Sequence, residues 1–146
     1  MFCGEHRHTL DKEGRLTLPA RWRERLGLSV VITRGLDRCL FVFPSDRFES
    51  LALQISQVNL NKSDARQLAR YFFCKAIRVE PDKQARITIS NDLRAFAGLN
   101  GEAVVVGVND RIEIWEPGRY READDALLNG VDAVSERMGD SFPRAA

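Results

Sequence analysis

In Arg15-Leu16-Thr17-Leu18 the apolar residues fall at every second position, and Pro19 ends the alternation. Period two marks a strand with one buried face. Just upstream, Asp11-Lys12-Glu13-Gly14 reads as a turn, with Asp to begin it and Gly14 to supply a positive φ, so a short strand before it completes a hairpin. Pro19 suits the first turn of a short helix, Ala20 to Leu26, which Gly27 closes. Two β-rich runs follow, Val30–Thr33 and Leu40–Phe43, joined by a turn carrying Asp37-Arg38.

The whole pattern occurs twice. "HTLDKEGRLTLPARWRERLGL" at residues 8–28 matches "RVEPDKQARITISNDLRAFAGL" at residues 78–99. Asp11, Lys12, Arg15, Thr17, Arg23, Gly27 and Leu28 recur 71 positions later as Asp82, Lys83, Arg86, Thr88, Arg94, Gly98 and Leu99. At an offset of 73, Val31 to Pro44 then lies over Val104 to Pro117, with Asp37-Arg38 repeated as Asp110-Arg111. The second unit opens its helix with Ser90 as N-cap and has its last strands at Ala103–Val108 and Ile112–Trp115. Each unit reads as strand, turn, strand, short helix, strand, turn, strand.

One such unit is too small to bury Leu16, Leu18, Val31, Ile32, Phe41 and Phe43 by itself. The two units are therefore expected to pack about a pseudo-twofold axis, interleaving strands in one β-barrel-like body of α+β class, mainly β. Between them, Ser45 is the expected cap of a helix over Asp46–Ile55, and Asn61 or Ser63 the cap of a second helix through Leu68, Tyr71 and Phe72. From Pro117 the chain is helix-forming to about Met138 and ends in a frayed "GDSFPRAA". These elements divide the chain into a first module over residues 5–47, a helical connector over 48–75, a second module over 76–119 and an acidic C-terminal helix and tail over 120–146.

Composition narrows the function. The chain has 146 residues, 22 Lys plus Arg against 21 Asp plus Glu, and a formal charge of +1, a balance that argues against a nucleic-acid partner. Its distribution argues the other way, because residues 1–100 carry 17 basic and 11 acidic side chains while residues 101–146 carry 5 and 10. Eighteen of the cations are Arg, the better fork for phosphates and guanine edges. No apolar stretch reaches membrane-spanning length and the N-terminal residues lack a signal-peptide core, so a cytoplasmic location is expected. Cys3, Cys39 and Cys74 are too widely spaced for a disulfide framework and are expected as reduced thiols, two of them, including Cys74 beside Phe72 and Phe73, in apolar surroundings.

Enzyme signatures are missing. His6 and His8, near Cys3 and Glu5, would share a strand face, but no other His exists and no zinc spacing is matched. There is no Gly-rich phosphate loop or nucleophile elbow, and Asp124-Asp125 sits in a solvated acidic helix. The chain is expected to need no metal or other cofactor and no small-molecule substrate. What recurs is Asp-Lys-x-x-Arg, at Asp11, Lys12, Arg15 and at Asp82, Lys83, Arg86. A single copy is explained by an Asp-initiated turn closed by a surface ion pair. Two copies about a pseudo-twofold place two basic turns on one surface, with Arg7, Arg21, Arg23, Arg25 and Arg94 nearby, and β-hairpins of that kind can lie in a DNA groove.

The ordered motifs "MFCGE", "HTLDKEGRLTLPARWRERL", "TRGLDRCLFVFP", "ARQLARYFF" and "DKQARITISNDLRAFAGL" followed by "VVVGVNDRIEIW" closely resemble the MraZ family of bacterial transcriptional regulators, built from two AbrB-like modules. The resemblance runs from Met1 to about Tyr120 and implies swapped-hairpin modules forming a pseudo-dimer. It further implies ring-shaped homo-oligomers, octamer-like or larger, associated with the nucleoid and bound to short direct repeats in the promoter of the division and cell-wall gene cluster that begins with the regulator's own gene. By the same resemblance Arg15 and Arg86 contact bases or phosphates, Lys12 and Lys83 contact phosphate, and Asp11 and Asp82 hold the turns, while Arg7, as a nearby cation, is a further candidate for DNA contact. The second copy departs from the pattern with Ala85 for Gly14 and Ser90 for Pro19, which favours the first module. An alternative of another class is an antitoxin-like AbrB-fold protein that grips a protein partner through the acidic segment 116–140.

Overall fold

The computed structural model describes residues 1–143 and divides them into two compact units, one spanning Met1–Glu116 and one beginning at Pro117. In the first unit the chain runs β1 (Phe2–Thr9), β2 (Arg15–Thr17), a 3-10 turn (Ala20–Trp22), α1 (Arg23–Leu26), β3 (Val30–Arg34) and β4 (Leu40–Pro44). The connecting helices α2 (Ser45–Ser56) and α3 (Ser63–Phe73) follow, then β5 (Ile77–Val79), β6 (Arg86–Thr88), α4 (Asn91–Ala97), β7 (Glu102–Asn109) and β8 (Arg111–Trp115). The class is α+β with antiparallel strands, and both repeats take the expected order of elements.

The two repeats exchange strands. Six strands pair in the linear order β1-β7-β8-β4-β3-β5, and β2 pairs with β6 in a separate two-stranded ribbon. No ladder among the described residues closes the larger sheet into a barrel. The pairing obeys the repeat residue by residue. Arg7 opposite Val104 in one half returns as Arg78 opposite Val31 in the other, the first strands being offset by 71 and the third strands by 73. In the ribbon Leu16 lies opposite Ile87, its own counterpart, so the pseudo-twofold passes between them.

Burial follows from this alternation. Leu16, Ile87, Leu18 and Ile89 point into one core with Val30, Ile32, Leu40, Val42, Val105, Ile112 and Ile114, all at most 1% exposed. Each fully buried side chain of this kind contributes roughly 1.5–3 kcal/mol relative to exposure. The opposite face of β3 and β4 is buried as well, because Phe41 and Phe43 pack on Phe72 and Phe48, while Phe48 meets Phe73. That second layer explains why β4 reads as a continuous apolar run.

Caps were the least legible detail. Ser90 does cap α4, accepting from the Leu93 amide at 3.3 Å, and Gly98 ends that helix at φ 67°. Ser45, however, is the first residue of α2 and spends its hydroxyl on Ser29 Oγ at 2.6 Å, leaving Pro44 at the cap position. Lys62 occupies the cap position of α3, and neither Asn61 nor Ser63 caps it; the Ser63 hydroxyl accepts from Gln67 Nε2 instead. Cys39 is buried, and burial pushes its thiol pKa up. Cys74 is exposed, against expectation, because α3 ends at Phe73 and the next residue leaves its apolar face.

In the second unit, α5 spans Pro117–Met138 and a 3-10 turn covers Gly139–Ser141. The expected frayed tail reaches past the described residues, since Arg144–Ala146 lie outside them. No helix among the described residues is long and apolar enough to cross a membrane.

Candidate nucleic-acid interface

The two Asp-Lys-x-x-Arg turns feed the two strands of the β2–β6 ribbon, and each turn is built by its Asp. Asp11 Oδ1 accepts from the amides of Glu13 at 3.0 Å and Arg15 at 2.8 Å, while Oδ2 accepts from Arg15 Nε at 2.7 Å. Asp82 repeats this with Gln84 and Arg86 amides, both at 2.9 Å, and with Arg86 Nε at 2.7 Å. A short carboxylate that accepts two backbone amides fixes the turn, and its second oxygen then fixes the Arg. The backbone hydrogen bonds from Arg15 and Arg86 hold the two carboxyls below the ordinary carboxylate pKa. Carboxylate stabilisation of the turns is thus fully present above the usual carboxylate range and is lost as pH falls through the depressed values.

Because the Asp takes each guanidinium at Nε, the two Nη atoms are left as further donors. Arg15 Nη2 has Glu13 Oε2 at 3.5 Å, whereas Arg86 has no partner but Asp82 among the described residues. Lys12 and Lys83 are exposed, with no ion-pair partner among the described residues.

Register brings the pair onto one face. Arg15 lies opposite Thr88 and Thr17 opposite Arg86. Directly opposed residues share a face, and diagonal neighbours stand roughly 7–8 Å apart. Arg15, Thr17, Arg86 and Thr88 therefore cover the outer face of a ribbon whose inner face is Leu16 and Ile87. The Asp82 charge of the other turn helps to raise the Arg15 pKa, after the larger effect of the Asp11 hydrogen bond. A two-stranded ribbon of this width fits the major groove of duplex DNA.

A family model described as "MraZ protein, putative antitoxin-like" matches residues 1–71 and again residues 72–141. Over 140 residues the chain is 43% identical to the Transcriptional regulator MraZ of Moorella thermoacetica and 44% identical to that of Ligilactobacillus salivarius, covering 96% of this chain and 98% of each relative. The same named protein of Roseiflexus castenholzii is 41% identical over the same span. The chain belongs to the MraZ family. The name these relatives carry is that of a transcriptional regulator and not of an enzyme.

In this MraZ-family chain not every expected cation reaches the ribbon. Arg7 sits on the edge strand β1 opposite Val104, with its guanidinium 4.0 Å from Glu102. Arg21 lies over Trp22 and donates to the Cys3 carbonyl, with Nη2 also 2.7 Å from His6 Nε2. Burial, followed by the Arg21 and His8 charges, keeps the His6 pKa low. No group of three or more His, Cys, Asp or Glu among the described residues could hold a metal ion. Thr17 and Thr88 join the site on the same face, a placement signalled in the sequence by their recurrence and their spacing of two from Arg15 and Arg86.

The departure at Ala85 leaves the turn intact. Ala85 adopts φ 59° where Gly14 adopts φ 82°, and each donates its amide to the Asp that opens its turn, at 2.9 and 3.0 Å. The reverse change is not equivalent. A Cβ on Gly14 would stand 2.6 Å from the Ile89 carbonyl oxygen and 2.9 Å from the Arg94 guanidinium. Gly14→Ala should therefore cost about 2–3 kcal/mol, combining left-handed strain with a backbone clash, while Ala85→Gly should change stability by less than about 1 kcal/mol. Urea unfolding of the two variants checks this; equal midpoints would refute it.

Proposed function

We propose that this chain is a sequence-specific DNA-binding regulator of transcription, acting in the cytoplasm at the nucleoid on short direct repeats in the promoter of the division and cell-wall gene cluster that includes its own gene. The observation that carries this reading is the outer face of the ribbon, where two Arg forks, each oriented by an Asp, flank two Thr hydroxyls. Arg15 and Arg86 read base edges from the major groove, Lys12 and Lys83 meet phosphates, and Asp11 and Asp82 keep the forks aimed. Arg7 contributes to the phosphate field from the neighbouring sheet edge.

A face of four residues makes few contacts, so assembly is part of the reading. A ring-shaped homo-oligomer, octamer-like or larger, sets several ribbons against successive repeats, and effective concentration turns modest contacts into tight binding. An antitoxin-like role finds support in the family description but needs a protein partner in place of DNA. The test is footprinting on the DNA upstream of the chain's own gene with a salt titration. Protection of evenly spaced repeats, with affinity falling steeply as salt rises, is the expected result. A bare footprint together with a copurifying small protein would replace this reading with the antitoxin one.

A further inference from the structure

The two turns have equal backbones but unequal charge. Asp11, Lys12, Glu13 and Arg15 sum to zero, whereas Asp82, Lys83, Gln84 and Arg86 sum to one positive charge. Two ribbon strands that address the same polyanion would then differ in their electrostatic attraction, the first being the weaker.

A side chain of the other half lies where it corrects this. Arg94, on α4 of the second repeat, lays its guanidinium against Gly14, with Cζ and Nε both 2.9 Å from the point where a Cβ would stand. Its Nη2 donates to Asn91 Oδ1, and its Nε is buried with no hydrogen-bond partner among the described residues. No carboxylate pairs with Arg94 among the described residues, so its charge is not cancelled.

The second turn has no glycine to seat the equivalent side chain. Arg23, the counterpart of Arg94, is exposed, and Ala85 carries the Cβ that Gly14 lacks. The half that has Gln84 carries Ala85 in place of the glycine seat, while the half that has Glu13 carries Gly14. We propose that Arg94 is a positioning and phosphate-facing residue lent by the second repeat to the first turn, so that both turns present one net positive charge to the duplex. This rests on the DNA-binding reading above.

The experiment measures affinity of the full-length chain for a duplex carrying the upstream repeats, by fluorescence anisotropy across a salt series. Arg94→Gln keeps bulk and polarity but removes the charge. It should weaken binding about fivefold near physiological salt and make the slope of log affinity against log salt shallower by about one per engaged first turn. Adding Glu13→Gln to Arg94→Gln should return both quantities to the wild-type range, which a purely structural loss would not do, and Arg94→Lys should keep the wild-type slope. Unchanged binding by Arg94→Gln, or a loss that Glu13→Gln fails to restore, overturns the proposal. Arg15→Ala separates the two levels. If it binds like wild type, the DNA-reading face itself is wrong; if it fails to bind while Arg94→Gln matches wild type, only the role of Arg94 falls.

Discussion

Arg15→Ala is expected to abolish detectable binding to promoter DNA carrying several repeats, while leaving the size of the oligomer unchanged. The size of the effect follows from what is removed. A bidentate Arg contact with guanine contributes about 1–3 kcal/mol of discrimination, and in the proposed ring that loss would be repeated in every engaged subunit. Asp11 would remain, now with Oδ2 deprived of the Arg15 Nε donor, so an acidic turn without its counter-charge would face the phosphates. Arg86→Ala removes the equivalent fork across the ribbon and should weaken binding by at least tenfold. Gel shifts over a salt series and size-exclusion chromatography measure the two properties separately. Wild-type affinity for Arg15→Ala would sink the assignment of the ribbon face.

The second large effect lies on the other side of the same strands. Leu16 and Ile87 meet across the pseudo-twofold, one 0% and the other 1% exposed. Leu16→Ala leaves a cavity that neither half can fill, and should cost about 3 kcal/mol, with Ile87→Ala costing a similar amount. That is a large part of a typical stability of roughly 5–15 kcal/mol. Because the two side chains are in contact, the double variant should depart from the sum of the singles. Trp22, 3% exposed, provides a fluorescence probe for urea unfolding. Midpoints within error of wild type would show that the ribbon is not anchored through this pair. Loss of this anchor should also weaken DNA binding, since it sets the separation of Arg15 and Arg86.

The sequence carried the fold unusually far because the repeat is legible twice over. Period-two alternation at Arg15–Leu18 located the ribbon strand and its recurrence 71 residues later, but the hairpin expected with the strand before the turn shrinks to a Leu10–Leu16 bridge, because β1 pairs with β7 and β2 with β6. The exchange of strands followed from the arithmetic of burial, since one unit cannot cover Leu16 and Ile32 alone. What stayed hidden was decided by contacts between residues far apart in sequence. Ser45 bonds Ser29 only because β3 and β4 bring the two together. Cys74 was placed in an apolar setting by its neighbours, yet the helix stops one residue earlier. The two repeated turns were readable from their spacing, but the seat of Arg94 on Gly14 was not, because it joins residues from opposite halves of the chain.

The strand exchange also sets a timetable for synthesis. Phe2 pairs with Asn109, so β1 has no sheet to join until almost the whole first unit has been made. At roughly 5–20 residues per second, β1 waits on the order of 5–20 s for its partner β7. During that interval Arg15 exists but its ribbon does not, because β6 has not emerged. A product terminated before β6 thus carries the first Asp-Lys-x-x-Arg turn without the strand that completes its ribbon. Translation must pass β6 in the second repeat before the ribbon that carries Arg15 and Arg86 can form.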